Sequence, residues 1–196
     1  MLRDGARPPG PWIRRGGNAH GRVHQGGRER EVPDPDAGRV HGGRWAGSTV
    51  SAIYTIGFTR KTAEEFFALL TGAGVETLVD IRLHNRSQLA GFAKRDDLAW
   101  FARELAGIEY VHLPQLAPTQ DLFDAFKKQS GSWEVYERDF RQLMDERGAF
   151  GSFDRALLRR NPCFLCSEAS PEHCHRRLVA EALAATEPAL QVVHLG

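Results

Sequence analysis

Residues 162–185 read PCFLCSEASPEHCHRRLVAEALAA, and the way this stretch changes period decides the fold. Pro162 to Cys166 is a short, continuously apolar run, the pattern of a strand covered on both faces in the middle of a sheet. A polar turn follows, and Ser170 with Pro171 predicts a helix start: a hydroxyl can cap, and a proline loses nothing at the first helical position. Beyond it, positions 175, 178, 179, 182 and 183 share one face of a helix that should run to about Ala185. A buried strand, a turn and an amphipathic helix make one unit of parallel α/β architecture.

Working outward, the same alternation recurs. Residues 50–56 (VSAIYTI) predict a strand ending at Gly57, and Thr62 with Glu65 is a capping box opening a helix that carries Phe66, Leu69 and Leu70 before Gly72 and Gly74. Residues 77–82 (TLVDIR) and 108–113 (IEYVHL) predict further strands; between them Asp96 is the expected cap of a helix with Leu98, Phe101 and Leu105, stopped by Gly107. Ser132 precedes a helix whose Trp133, Tyr136, Phe140, Leu143 and Met144 keep to one face, and 190–194 (LQVVH) closes the sheet. The expectation is a single three-layer α/β domain over 48–196, with a mostly parallel sheet of about five strands flanked by helices. In such domains ligands collect at the carboxyl ends of the strands.

Composition separates this part from what precedes it. Residues 1–47 hold nine Arg, five acids, eleven Gly and five Pro, for a net +4, while the remainder carries −3. Too little apolar surface is present there to offset the entropy of ordering the chain, so 1–47 is expected to be a disordered basic Gly/Arg/Pro-rich arm, or else sequence upstream of the true start. No window approaches a membrane span, and no apolar stretch follows the first Arg residues as in a secretory signal. Three Cys is an odd number, which favours free thiols in a reducing compartment, the cytoplasm.

Two stretches carry chemistry. At the turn after Cys166, the residues His173, His175, Arg176 and Arg177 crowd a helix start where backbone N–H groups already favour anions, offset only by Glu168 and Glu172. A bound anion would explain that crowding. His175 heads the buried stripe and should point toward Cys166, either as a core histidine bonded to Glu168 or a backbone carbonyl, or as an acid or base. Cys174, near His and Arg, is a candidate low-pKa thiol. Cys163 and Cys166 form C-x-x-C, yet in a strand residues three apart face opposite sides, which argues against zinc. The second stretch, Asp80 to Arg95 (DIRLHNRSQLAGFAKR), places Arg82, Arg86, Lys94 and Arg95 on a long loop with His84, Ser87 and Phe92. Asp80 interrupts an apolar strand and needs a donor, for which a nearby Arg is the economical partner. Both stretches leave the same edge of the sheet.

The strings YTIGF (Tyr54–Phe58), VDIR (Val79–Arg82), SQLAGFAKRDDLAWF (Ser87–Phe101), GIEYVHLPQLAP (Gly107–Pro118), GSWEVYE (Gly131–Glu137) and LCSEASPEHCHRRLVAE (Leu165–Glu181) resemble the domain of unknown function 488 family. The resemblance covers residues 52–185 and leaves out 1–47. It implies that Asp80, Arg82, Ser87, Tyr110, Cys166, Glu168, Cys174, His175 and Arg176 occupy characteristic positions, with Cys163 outside the pattern. It implies a fold and a site, and no reaction.

The resulting expectation is a phosphate-bearing ligand, a nucleotide or nucleic-acid end, held between the basic loop and the turn at Ser170. Arg82, Arg86 and Arg176 are the expected anion clamps, with Asp80, Ser87 and Ser170 completing the binding set. His175 is the acid or base, Glu168 its orienter or a proton acceptor, and Cys166 or Cys174 the nucleophile of a hydrolysis or group transfer. Two rival readings use the same residues: a non-catalytic nucleotide or nucleic-acid binding module, and a structural metal or redox-sensing thiol protein. No cofactor, metal or membrane partner is expected.

Overall fold

The computed structural model describes residues 52–196; the expected arm at 1–47 lies outside them. In chain order the elements are β1 (Ala52–Gly57), α1 (Ala63–Gly72), β2 (Thr77–Asp80), α2 (Arg95–Ala106), β3 (Glu109–His112), α3 (Gln120–Lys127), α4 (Trp133–Glu146), β4 (Pro162–Cys166), α5 (His175–Ala185) and β5 (Gln191–Leu195). The five strands form one sheet in the order β3-β2-β4-β1-β5. Every pairing is parallel. β4 is the middle strand and is buried at all five positions, as an uninterrupted apolar run requires.

The sheet is covered on both faces. On one, Phe66 and Leu70 of α1 and Leu98 and Ala102 of α2 pack against Ile56, Leu78, Cys163 and Leu165. On the other, Tyr136, Phe140 and Met144 of α4 and Leu178, Val179 and Leu183 of α5 pack against Ile53, Val79 and Phe164. The alternation within β4 is the strand period read directly: Cys163 and Leu165 go one way, Phe164 the other. Cys163 is therefore a core residue facing away from the side on which Cys166 opens. Among the described residues, no helix is long and apolar enough to cross a membrane.

Two local expectations are corrected, and one helix is added to those expected. α5 begins at His175, five residues after Ser170; its N-cap is Cys174 in extended conformation. Ser170 instead accepts the Glu172 N–H through its own hydroxyl, a local turn that competes with helix. α2 begins at Arg95 with Lys94 as a cap that lacks a side-chain hydrogen bond, and Asp96 lies within the first turn, where its charge still favours the helix dipole. α3 was unexpected: Thr119 caps it by accepting from Leu122 N–H, and its Leu122 and Phe126 lie against the α4–α5 core.

Candidate functional site

Parallel register brings three strand ends together. Gly57 of β1 pairs with Cys166 of β4, and Asp80 of β2 pairs with Leu165 on the opposite side. Above them opens a cleft of about 90 Å³, with Cys166, Cys174 and His175 on its floor, Phe123, Phe126 and Tyr136 in its walls, and His84, Lys127, Glu168 and His173 around it. At roughly 10–15 Å³ per enclosed water, that is room for a small charged head or a short linear group, with any larger remainder outside.

Nε2 of His175 lies 2.9 Å from the Ile81 carbonyl, and a carbonyl only accepts, so Nε2 carries a proton and Nδ1 is the ring atom facing Cys166 Sγ at 3.8 Å. The imidazole is packed against Phe140, ring centroids 5.6 Å apart, and so holds one orientation. Cys166 is held below the ordinary thiol range first by the hydrogen bond from Cys174, then, against the opposing effect of burial, by the Glu168 N–H, the Arg176 charge and the Ser167 N–H. Cys174 goes the other way: burial and its bond to Cys166 keep its proton on. Burial also raises Cys163. The three buried thiols thus differ, Cys166 being shifted down and Cys174 and Cys163 up.

Arg176 is the unusual member. Its side chain is 1 % exposed. It donates to the Glu168 and Ala169 carbonyls at 2.6 and 3.1 Å, and its Nε has no partner. Among the described residues no carboxylate pairs with it, although a buried cation ordinarily demands a counter-charge. The guanidinium charge is one of the effects that favour the ionised form of the Cys166 thiol. Gly57 makes the arrangement possible: a Cβ there would stand 1.7 Å from the Glu168 carbonyl oxygen and 3.1 Å from Arg176 Nη1.

The loop after β2 is tied down by a second buried hub. Asp80, fully buried, accepts from Arg82 Nε and Nη2 at 2.8 and 2.7 Å, from Asn85 at 3.1 Å and from the Tyr110 hydroxyl at 2.5 Å. Arg82 gives its remaining Nη to the Ala93 carbonyl at 2.8 Å and lies over the Phe58 ring at 5.3 Å. Replacing Tyr110 by Phe is expected to cost about 1.5–3 kcal/mol in a urea melt, one hydrogen bond to a buried carboxylate; an unchanged midpoint would mean that the hydroxyl does not brace the hub.

The expected site residues are thus only partly assembled in one place. Cys166, Glu168, Cys174 and His175 line the cleft, and so does Arg82. The donors of Arg82 are nevertheless committed to Asp80 and Ala93, so it braces a wall where a clamp was expected. Arg176 stands behind the Cys166 loop in the same bracing role. Arg86 and Ser170 are exposed and are not among the lining residues, while Ser87 precedes the 3-10 turn Gln88–Ala93, accepting from Ala90 N–H at 3.1 Å. Near the opening the cation is Lys127, paired with Glu168 at 3.0 Å. Lys127, Phe126 and Phe123 escaped the sequence reading because α3 did; Thr119 followed by Leu122, Phe123 and Phe126 was the signal for it. Cys166 Sγ, Cys174 Sγ and His175 Nδ1 all lie within 4.8 Å of one another, a set of soft donors able to hold a thiophilic ion.

The family model described as Domain of unknown function DUF488 matches residues 62–183. No curated protein and no solved structure matches the chain.

Proposed function

The chain belongs to the DUF488 family, and from that premise and the geometry of the cleft we propose that it is a thiol-dependent enzyme acting on a small phosphate-bearing ligand by hydrolysis or group transfer. Cys166 is the nucleophile. His175, held by Ile81, accepts the thiol proton at Nδ1 and returns it to the leaving group. Glu168 is the second proton acceptor, freed when the ligand's charge draws Lys127 away from it. Lys127, His84 and His173 meet the anionic head, while Arg82 and Arg176 hold the walls. The observation that carries the reading is the buried Arg176, which has no carboxylate partner among the described residues, near a thiol at the carboxyl end of the central strand: such a site favours negative charge on sulfur before any ligand arrives.

A panel of nucleotides and phosphomonoesters tests it by thermal shift and by release of inorganic phosphate. A stabilising compound should be turned over by the native chain and not by Cys166→Ser, while Lys127→Ala weakens its binding and Arg86→Ala does not. A compound that shifts the melt of both native and Cys166→Ser protein without turnover would favour the binding-module reading instead.

A further inference from the structure

Cys174 has no task in the nucleophile mechanism beyond donating a hydrogen bond, yet it is placed as a second thiol against the first. Its Sγ lies within 4.8 Å of both Cys166 Sγ and His175 Nδ1. It is 2 % exposed and Cys166 5 %, so each is sheltered from solvent except through the cleft they both line. The residues between them, 167–173, form no helix or strand, so bringing the two sulfurs to bonding distance interrupts no helix or strand within that segment. A compact, apolar –S–S– group suits the small cleft, whose Phe123, Phe126 and Tyr136 side chains favour an apolar group.

We propose that Cys166 and Cys174 form a dithiol–disulfide couple that reduces low-molecular-weight disulfides, a reaction that rests on the same reactive Cys166 as the function above. Cys166 gives its proton to His175 Nδ1 and attacks as the thiolate one sulfur of R–S–S–R, forming Cys166–S–S–R and releasing R–S⁻, which takes that proton from the imidazole. Cys174 then gives its proton to His175 Nδ1 and attacks the Cys166 sulfur. The Cys166–Cys174 bond forms, the Cys166–SR bond breaks, and the departing R–S⁻ takes the proton from the imidazole. Two electrons and two protons pass from the protein to give two R–SH, and an external dithiol restores the reduced pair. Cys163, facing the other core, is outside the couple.

The test treats the reduced full chain with glutathione disulfide, quantifies released thiol and maps the cysteines by mass spectrometry. The native chain should release about two thiols and end with Cys166 linked to Cys174. Cys174→Ala, and equally Cys174→Ser, should release about one and stop as a glutathione adduct on Cys166. Cys163→Ala should behave as the native chain. A glutathione adduct on Cys166 that persists in the native chain, or a bond to Cys163, overturns the couple and leaves the nucleophile reading standing. If Cys166 never reacts with the disulfide, and also resists alkylation, both fail together.

Discussion

Replacing Asp80 by Ala is expected to lower the free energy of unfolding by roughly 3–5 kcal/mol, the cost of stranding a buried charge. Its carboxylate is the shared acceptor for Arg82, Asn85 and Tyr110, and Arg82, only 2 % exposed, would keep its charge with two donors unmet. Urea denaturation gives the number; a loss under about 1 kcal/mol would contradict the hub. Combining Asp80→Ala with Arg82→Ala should recover part of the loss, because the penalty belongs to the orphaned partner.

The same residue sets an acid limit. Burial pushes the Asp80 carboxyl up, but the hydrogen bonds and charge of Arg82, with the Tyr110 hydroxyl, outweigh it and hold the group below its ordinary value. A carboxylate whose folded pKa is depressed contributes stability above its unfolded pKa of about 3.9, and that contribution is lost as pH falls through the folded value. Native protein should therefore lose stability more steeply below about pH 4 than Asp80→Asn does.

Gly57→Ala is the second large effect. The added Cβ would sit 1.7 Å from the Glu168 carbonyl oxygen, a backbone atom that also accepts from Arg176, so the β4–α5 turn itself has to move. A cost of about 1–3 kcal/mol is expected from overpacking. Displacing the Glu168 and Ser167 N–H groups and Arg176 should also slow thiol modification at Cys166. Gly72 is the internal control: nothing lies within 4 Å of a Cβ there, and Gly72→Ala in α1 should be neutral or slightly stabilising. Equal effects at the two positions would remove the argument for close approach at Gly57.

What was legible in the sequence was whatever local patterning determines. The apolar run of β4, the Thr62–Glu65 capping box, seen as reciprocal hydrogen bonds at 2.8 and 3.2 Å, and the stripe led by His175 are each written in neighbouring residues. The approach of His175 to Cys166 followed from that stripe. Less accessible was anything set by partners distant in sequence. Arg82 and Arg176 read as anion clamps, yet their donors are met by Asp80, Ala93, Glu168 and Ala169, and only the packed structure displays which carbonyls are in reach. The pairing of Asp80 with an Arg was readable because a carboxylate in an apolar strand must find one. The later start of α5 was not, because Ser170 and Pro171 satisfy a helix signal that the turn uses for Glu172 instead.

The most direct test of the account is the alkylation rate of each cysteine in the native, reduced chain, followed by residue-resolved mass spectrometry after iodoacetamide treatment at pH about 6.5, well below the ordinary thiol pKa of about 8.5. Cys166 is expected to be modified first, with Cys174 and Cys163 far behind, and its lead should shrink in Arg176→Gln. Three cysteines reacting at one slow rate, or Cys174 reacting ahead of Cys166, would contradict it.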